Sequence, residues 1–220
     1  LVMVISLLSG LTITVDAATY KYNQGQRGVV ATSLTSAAED FYVANGVTYE
    51  TMSALSGSSS LSSVSNSALY KELASLMTRN HKVITSYDET RSMYQYTDCQ
   101  NGGGKISSFY SGKEIGPSWD SGSTWNREHV WCQSLGSFTT SNCGSDLHHL
   151  RPTDPKLNST RNNLPFGEVS GSYKTATSNS GKVGGYYNST CFEPLDAVKG
   201  DVARILLYCY VRWGESNLSD

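Results

Sequence analysis

Three of the four histidines, His129, His148 and His149, fall within residues 124–167, TWNREHVWCQSLGSFTTSNCGSDLHHLRPTDPKLNSTRNNLPFG, while His81 stands far upstream. His129 follows Glu128, and the same stretch carries Arg127, Arg151, Arg161, Asn158 and Asn162. A histidine with an ordinary pKa of about 6.5 can take up a proton at neutral pH. A lone His beside a Glu would mean little, so the order of the elements that carry them has to decide.

Residues 125–132, WNREHVWC, are predicted to form a strand, with Trp125, Arg127, His129 and Trp131 on one face and Asn126, Glu128, Val130 and Cys132 on the other. DLHHLR, residues 146–151, can form a second short strand, with His149 and Arg151 on one side and Asp146 and His148 on the other. Asp154-Pro155 reads as the N-cap and first residue of a helix running to about Asn163, where Leu164-Pro165 ends it. Asn158 and Asn162, four apart, then project from one helix face. A histidine strand, a second strand and a helix offering Asn is the layout of a ββα-metal site.

NREHVWCQS, DLHHLRPTDPKLNSTRNNLPFG and GDVARILLY resemble the bacterial endonuclease I family, secreted or periplasmic nucleases of the His-Me finger superfamily. Looser similarity runs upstream through HKVITSYDET, YTDCQ and FYSGKE, so the resemblance covers roughly residues 48–214. It implies an α+β fold: a ββα-metal (His-Me finger) core embedded in a mainly helical, loop-rich single domain. His129 matches the general base that activates water, and Glu128 and Asn158 match the ligands of one divalent cation. Mg²⁺ leads, with Ca²⁺ or Mn²⁺ as substitutes, because a hard cation prefers oxygen ligands and keeps several waters. On a regular strand Glu128 and His129 point to opposite faces, so a bulge or a strand end is expected there.

The same resemblance implies hydrolysis of DNA, and of RNA as a further substrate, to 5′-phosphate ends with little sequence preference. The chain is expected to be a monomer. Arginine should hold the scissile phosphate, and Arg127, Arg151 and Arg161 are all candidates; Arg161, three residues after Asn158, is slightly favoured. His148 and His149 read more simply as structural, with His149 and Asn162 as hydrogen-bonding support near the site. Asp146 and Asp154 read as turn and cap residues, and Trp125 and Trp131 as core.

Composition bounds these readings. The 220 residues suit one full core, and a net charge of −2 supplies no global attraction for polyanions. Within residues 124–167 the balance is +1, which predicts modest, salt-sensitive affinity for nucleic acid. Residues 2–15 form an uncharged apolar run, and Val15-Asp16-Ala17 offers a cleavage point, so residues 1–17 are expected to be a secretory signal truncated at its start. Residues 18–220 would be the mature, secreted or periplasmic domain, without stable membrane association. It would lack a C-terminal segment, because an Asn-Arg-Asn-Pro-Phe type motif of the family is missing before Asp220. In an exported chain the five cysteines can pair, and Cys132–Cys143 is the expected disulfide.

Elsewhere, residues 33–45 show weak helical character, 56–67 read as a Ser-rich loop, and 68–80 as an amphipathic helix with Leu69, Leu73, Leu76 and Met77 on one face. Short β segments are expected near 82–87 and 105–110, and loop with short strands over 168–192. Residues 201–213 read as a helix apolar nearly all round, capped by Asp201 and ended by Gly214. Asn158, Asn188 and Asn217 each match the N-glycosylation pattern, and a glycan on Asn158 would preclude a ligand role. Two rival functions remain. One is a zinc hydrolase using Glu128, His129, His148 and His149, disfavoured because no His-x-x-x-His pair is present. The other is a non-catalytic secreted binding protein on the same scaffold.

Overall fold

The computed structural model describes residues 21–22, 25–26, 44, 68–99 and 104–214. The expected signal at 1–17, nearly all of the weak helix at 33–45 and the loop at 56–67 lie outside them. The chain divides into two compact units. One comprises residues 1–19, 28–83 and 207–220; the other comprises 20–27 and 84–206.

In the first unit α1 (Ala68–Asn80) buries Leu73 and Leu76, as its apolar spacing predicts. The Tyr70 hydroxyl donates to Tyr210 O at 3.1 Å, and Arg212 Nε donates to His81 Nδ1 at 3.2 Å. His81 also meets the Trp213 ring edge-on, which gives this histidine a structural setting.

Among the described residues the second unit holds four small antiparallel sheets. Two are two-residue ladders, β1 (Lys21–Tyr22) with β2 (Gly25–Gln26) and β3 (Ile106–Ser107) with β4 (Glu114–Ile115). β5 (Asn126–His129) pairs with β6 (Leu150–Thr153). β7 (Lys174–Thr177), β8 (Val183–Tyr187) and β9 (Phe192–Pro194) form a three-stranded meander. The helices are α2 (Thr90–Thr97), α3 (Gln133–Gly136), α4 (Pro155–Arg161) and the first part of α5 (Asp196–Trp213). The fold is therefore mixed α/β with small sheets, and the expectation of a mainly helical domain is overturned. No helix among the described residues is long and apolar enough to cross a membrane.

Tyr94, Ile106, Ile115, Trp125 and Leu150 make a buried cluster that draws on α2, β3, β4, β6 and the residue before β5. Trp125 meets Tyr94 and Trp119 edge-on, so it is core, and Trp131 is buried too. Through Leu150 and Trp125 the cluster includes the start of β6 and the residue next to β5. Phe109 N donates to Pro152 O at 2.8 Å, tying the segment after β3 to β6. Pro152 fits because β6 is an edge strand.

Several element boundaries differ from the sequence reading. Residues 82–86 are irregular and are followed by a turn, so no strand forms near 82–87. The strand expected over 125–132 stops at His129, and the second begins at Leu150, not at Asp146. Here Asp146 caps its own turn: Oδ1 accepts from His148 N at 2.9 Å, a local bond that competes with a ladder. α4 ends at Arg161, and Asn162 takes φ 49°, which removes it from the helical face shared with Asn158. α5 begins five residues early, at Asp196, so Asp201 lies inside it and pairs with Arg204 instead of capping. Over residues 201–213 Val202, Ile205, Cys209, Tyr210 and Val211 are buried and only Ala203 is exposed, in keeping with a segment apolar nearly all round. Gly214 has φ 65°, the left-handed C-terminal conformation expected of it.

Cys132 and Cys143 are not joined. Cys132 Sγ approaches Asn162 O at 3.5 Å, whereas Cys143 Sγ lies 3.6 Å from His149 Nδ1. The ten residues between them include α3, and Cys143 itself lies inside a 3₁₀ turn (Asn142–Ser145), so the two thiols meet different neighbours.

β8 passes very close to α4. A Cβ on Gly184 would lie 2.7 and 2.8 Å from the two methyls of Leu157, which is fully buried, and 3.1 Å from Tyr110 Cβ. Gly184→Ala should therefore cost about 1–3 kcal/mol. Urea denaturation measures this, and an unchanged midpoint would show that Leu157 has room to move.

Candidate active site

The local sequence of 125–162 explains how the site is assembled. Asp154 starts α4 as an N-cap, its Oδ1 accepting from Lys156 N at 2.9 Å and Leu157 N at 3.4 Å, with Pro155 at the first helical position. Both Asp154 oxygens also accept from Asn179 N at 3.1 Å, fastening the start of α4 to the turn between β7 and β8. α4 then lies along β5. Asn158 Nδ2 donates to Asn126 Oδ1 at 2.7 Å and to Arg127 O at 3.3 Å. With its amide NH₂ so directed, the opposite end of the group is its carbonyl oxygen, a hard donor.

A cleft of about 360 Å³ opens here, and Arg127, Glu128, His129, Asn158, Arg161 and Asn162 all line it, with Tyr87, Cys132 and Gln133 among the other walls. The register of β5 and β6 is regular, Glu128 opposite Arg151 and His129 opposite Leu150. No bulge is present; the strand simply ends at His129, and this lets Glu128 and His129 border one cavity despite their alternation.

His129 is held on three sides. Its Nε2 lies 3.0 Å from Gly144 O, a carbonyl that can only accept, so Nε2 carries the proton and Nδ1 keeps its lone pair. Its ring stacks on Tyr87, centroids 5.8 Å apart and planes within 10°, and Phe138 lies 5.7 Å away. Burial above all holds its pKa down to about 4; His149, Arg127 and Arg161 add to that, and the bond to Gly144 O opposes it. The imidazole is neutral at pH 7 and able to accept a proton.

Glu128 is buried with the guanidinium of Arg161 and the phenol of Tyr110. Tyr110 donates to Oε1 at 2.5 Å and Arg161 Nη1 donates to the same oxygen at 3.1 Å. Burial raises the Glu128 carboxyl above its usual value, against the pull of Arg161 and the Tyr110 hydroxyl. Arg161 Nη1 also donates to His129 O at 3.0 Å and Nη2 to Val130 O at 2.7 Å, while the guanidinium covers the Phe166 ring at 4.4 Å. Arg161 is thus engaged internally, clamping the end of β5 to α4.

The other candidates separate clearly. Arg127 lies 3.5 Å from the Tyr87 ring centroid and spends Nη1 on Tyr87 O. Arg151 does not line the cleft: Nη1 donates to Leu147 O, Nη2 to His148 O, and Nη1 lies 3.6 Å from buried Asp98. His149 is fully buried. Its Nε2 accepts from Trp131 N at 2.9 Å and its Nδ1 donates to Cys143 O at 2.9 Å, so both nitrogens are spent on backbone. The exposed ring of His148 turns to Asp146, with Nδ1 3.0 Å from Oδ1.

Three contributors escaped the sequence reading: Gly144 through its carbonyl, Tyr87 through its ring and Tyr110 through its hydroxyl. Tyr87 and Tyr110 fall in SYDET and FYSGKE, segments already marked by the resemblance, so a signal existed without a role attached. Gly144 gave none. A Cβ there would lie 1.7 Å from Thr139 O, so only glycine lets the 139–144 loop close under His129.

Comparison with known proteins adds to the geometry. The sequence model of the family described as Endonuclease I matches residues 64–219. A protein named extracellular ribonuclease from Bacillus amyloliquefaciens is 48% identical over 90 residues, 40% of this chain and 29% of that protein. Another of the same name from Bacillus subtilis (strain 168) is 49% identical over 90 residues, with the same coverage. The alignment thus spans under a third of these relatives. No solved structure matches the chain.

Proposed function

The chain belongs to the endonuclease I family, and on that premise we propose that it is a secreted, divalent-metal-dependent nuclease that hydrolyses the phosphodiesters of RNA and DNA with little sequence preference. The observation that carries this reading is the single cleft in which neutral His129 stands beside Glu128 and Asn158, with Nε2 tied to Gly144 O. The relatives' names and family support a nucleic-acid substrate and export. Under this reading β5, β6 and α4 constitute a ββα-metal core.

The donor set fits a hard cation. Glu128 has Oε1 committed to Tyr110 and Arg161, which leaves Oε2, and Asn158 has its NH₂ committed to Asn126 and Arg127, which leaves Oδ1. Two oxygens and several waters suit Mg²⁺, with Mn²⁺ or Ca²⁺ as substitutes. Bound there, the ion would supply charge stabilisation to the attacked phosphate and the leaving 3′ oxygen.

The chain's own residues perform the rest. His129 Nδ1 accepts a proton from water as the water oxygen attacks phosphorus, and Gly144 O steadies the imidazolium that forms. Tyr87 fixes the plane of the ring. Arg127 holds the phosphate: it borders the cleft with Nη2 available, whereas Arg161 and Arg151 donate to carbonyls and carboxylates of the protein. None of these groups addresses a base edge, which accounts for the low sequence preference. The zinc-hydrolase alternative loses ground, since His148 and His149 are directed to Asp146 and to backbone groups rather than to His129's cleft.

Incubation of plasmid DNA and of RNA with the protein, in Mg²⁺ and then in excess EDTA, tests the reading. Both polymers should be cut in Mg²⁺ and neither in EDTA. Cutting that survives EDTA would remove the metal, and no cutting of either would remove the nuclease.

A further inference from the structure

The geometry points to Tyr110 as the residue that positions Glu128 as a metal ligand, and we propose that its hydroxyl sets the affinity of the site for the divalent cation. This deepens, and rests on, the metal-dependent reading above. Tyr110 is remote from the cleft-forming motif in sequence and is fully buried. Its hydroxyl nevertheless ends 2.5 Å from Glu128 Oε1, 18 residues away.

Three features distinguish this from a buried tyrosine that merely satisfies its own polar atom. First, Arg161 already neutralises Glu128, so charge balance does not require the phenol. Second, phenol and guanidinium converge on the same oxygen. Two donors on Oε1 hold that end of the carboxylate and leave Oε2 as the ligand atom. Third, Tyr110 is itself immobilised. Its ring packs against Phe109 and Phe192 at 5.1 Å and Phe166 at 6.4 Å, and a Cβ on Gly184 of β8 would come within 3.1 Å of its own Cβ, so the backbone of β8 runs close beside it. The chain just before it is pinned through Phe109 N to Pro152 O of β6, the partner of the strand that carries Glu128. The rigid sheet is thereby connected to one carboxylate oxygen by a short bond.

Tyr110→Phe removes the hydroxyl and keeps the ring. Outer partners of metal ligands commonly affect affinity by about 10–100-fold, so Mn²⁺ binding, followed without substrate by titration calorimetry and by the EPR signal of free Mn²⁺, should weaken at least about tenfold. The Mg²⁺ concentration for half-maximal cleavage should rise in parallel, while kcat at saturating Mg²⁺ falls by less. Unchanged Mn²⁺ affinity in the variant, with normal binding by the wild type, overturns the role of Tyr110 and leaves the metal reading standing. Absence of Mn²⁺ binding by the wild type overturns both. A second measurement needs no variant: the buried phenol proton should give a slowly exchanging downfield NMR signal that moves when Mg²⁺ is added. A signal that stays fixed while the metal binds counts against the proposal.

Discussion

Arg161→Ala should lower the free energy of unfolding by about 3–5 kcal/mol, the usual cost of breaking a buried ion pair from one side. Arg161 and Glu128 are each 2% exposed, and the substitution leaves Glu128 charged among aromatic rings with only Tyr110 as donor. It also strips the carbonyls of His129 and Val130 of their donors. Urea denaturation gives the number. A companion substitution separates the terms: replacing both partners, Arg161→Met with Glu128→Leu, should recover much of the loss, because no uncompensated charge remains. A loss below about 1 kcal/mol for Arg161→Ala would mean that Glu128 reaches water, and the internal clamp assigned to Arg161 would then be wrong.

His129→Ala should cut kcat by about 10²–10⁴-fold, the range of a lost general base, with a fold that survives. The structural cost is the hydrogen bond to Gly144 O, about 1 kcal/mol, together with the ring's packing against Tyr87 and Phe138. The vacated space adjoins a cleft of about 360 Å³, so imidazole added to the buffer can enter and should restore part of the rate. A variant that cleaves within twofold of the wild type would move the base elsewhere. His149 is a poor replacement, since it accepts from Trp131 N and donates to Cys143 O.

The readable parts of this fold were those encoded by neighbouring residues. Asp154-Pro155 starts its helix where a cap and an N-terminal proline must, and Gly214 ends α5 in the left-handed conformation. The order strand, strand, helix brought Glu128, His129 and Asn158 to one cleft. What was not readable depends on contacts distant in sequence. Arg161 was favoured as a phosphate ligand from its place on α4, but its guanidinium meets residues 31 to 33 positions back and is enclosed by them. Cys132 and Cys143 bracket a short loop, a spacing that suits a disulfide, yet α3 follows the first thiol and a 3₁₀ turn holds the second, and the two face different neighbours. The mainly helical expectation rested on the resemblance and not on any local pattern, and it failed, whereas residues 168–192, read as loop with short strands, do form most of a three-stranded meander. Its glycines, Gly184 and Gly185, are there for close approach to Leu157 and Phe192, a reason that no local pattern displays.

The central claim is that water, deprotonated by His129, attacks the phosphate itself. Cleavage of a short RNA in H₂¹⁸O, with the product ends read by mass spectrometry, tests it most directly. The account predicts 3′-hydroxyl ends and 5′-phosphates that each carry one ¹⁸O from solvent. Products ending in unlabelled 2′,3′-cyclic phosphates, with 5′-hydroxyls, would contradict it, because the nucleophile would then be the ribose and not water.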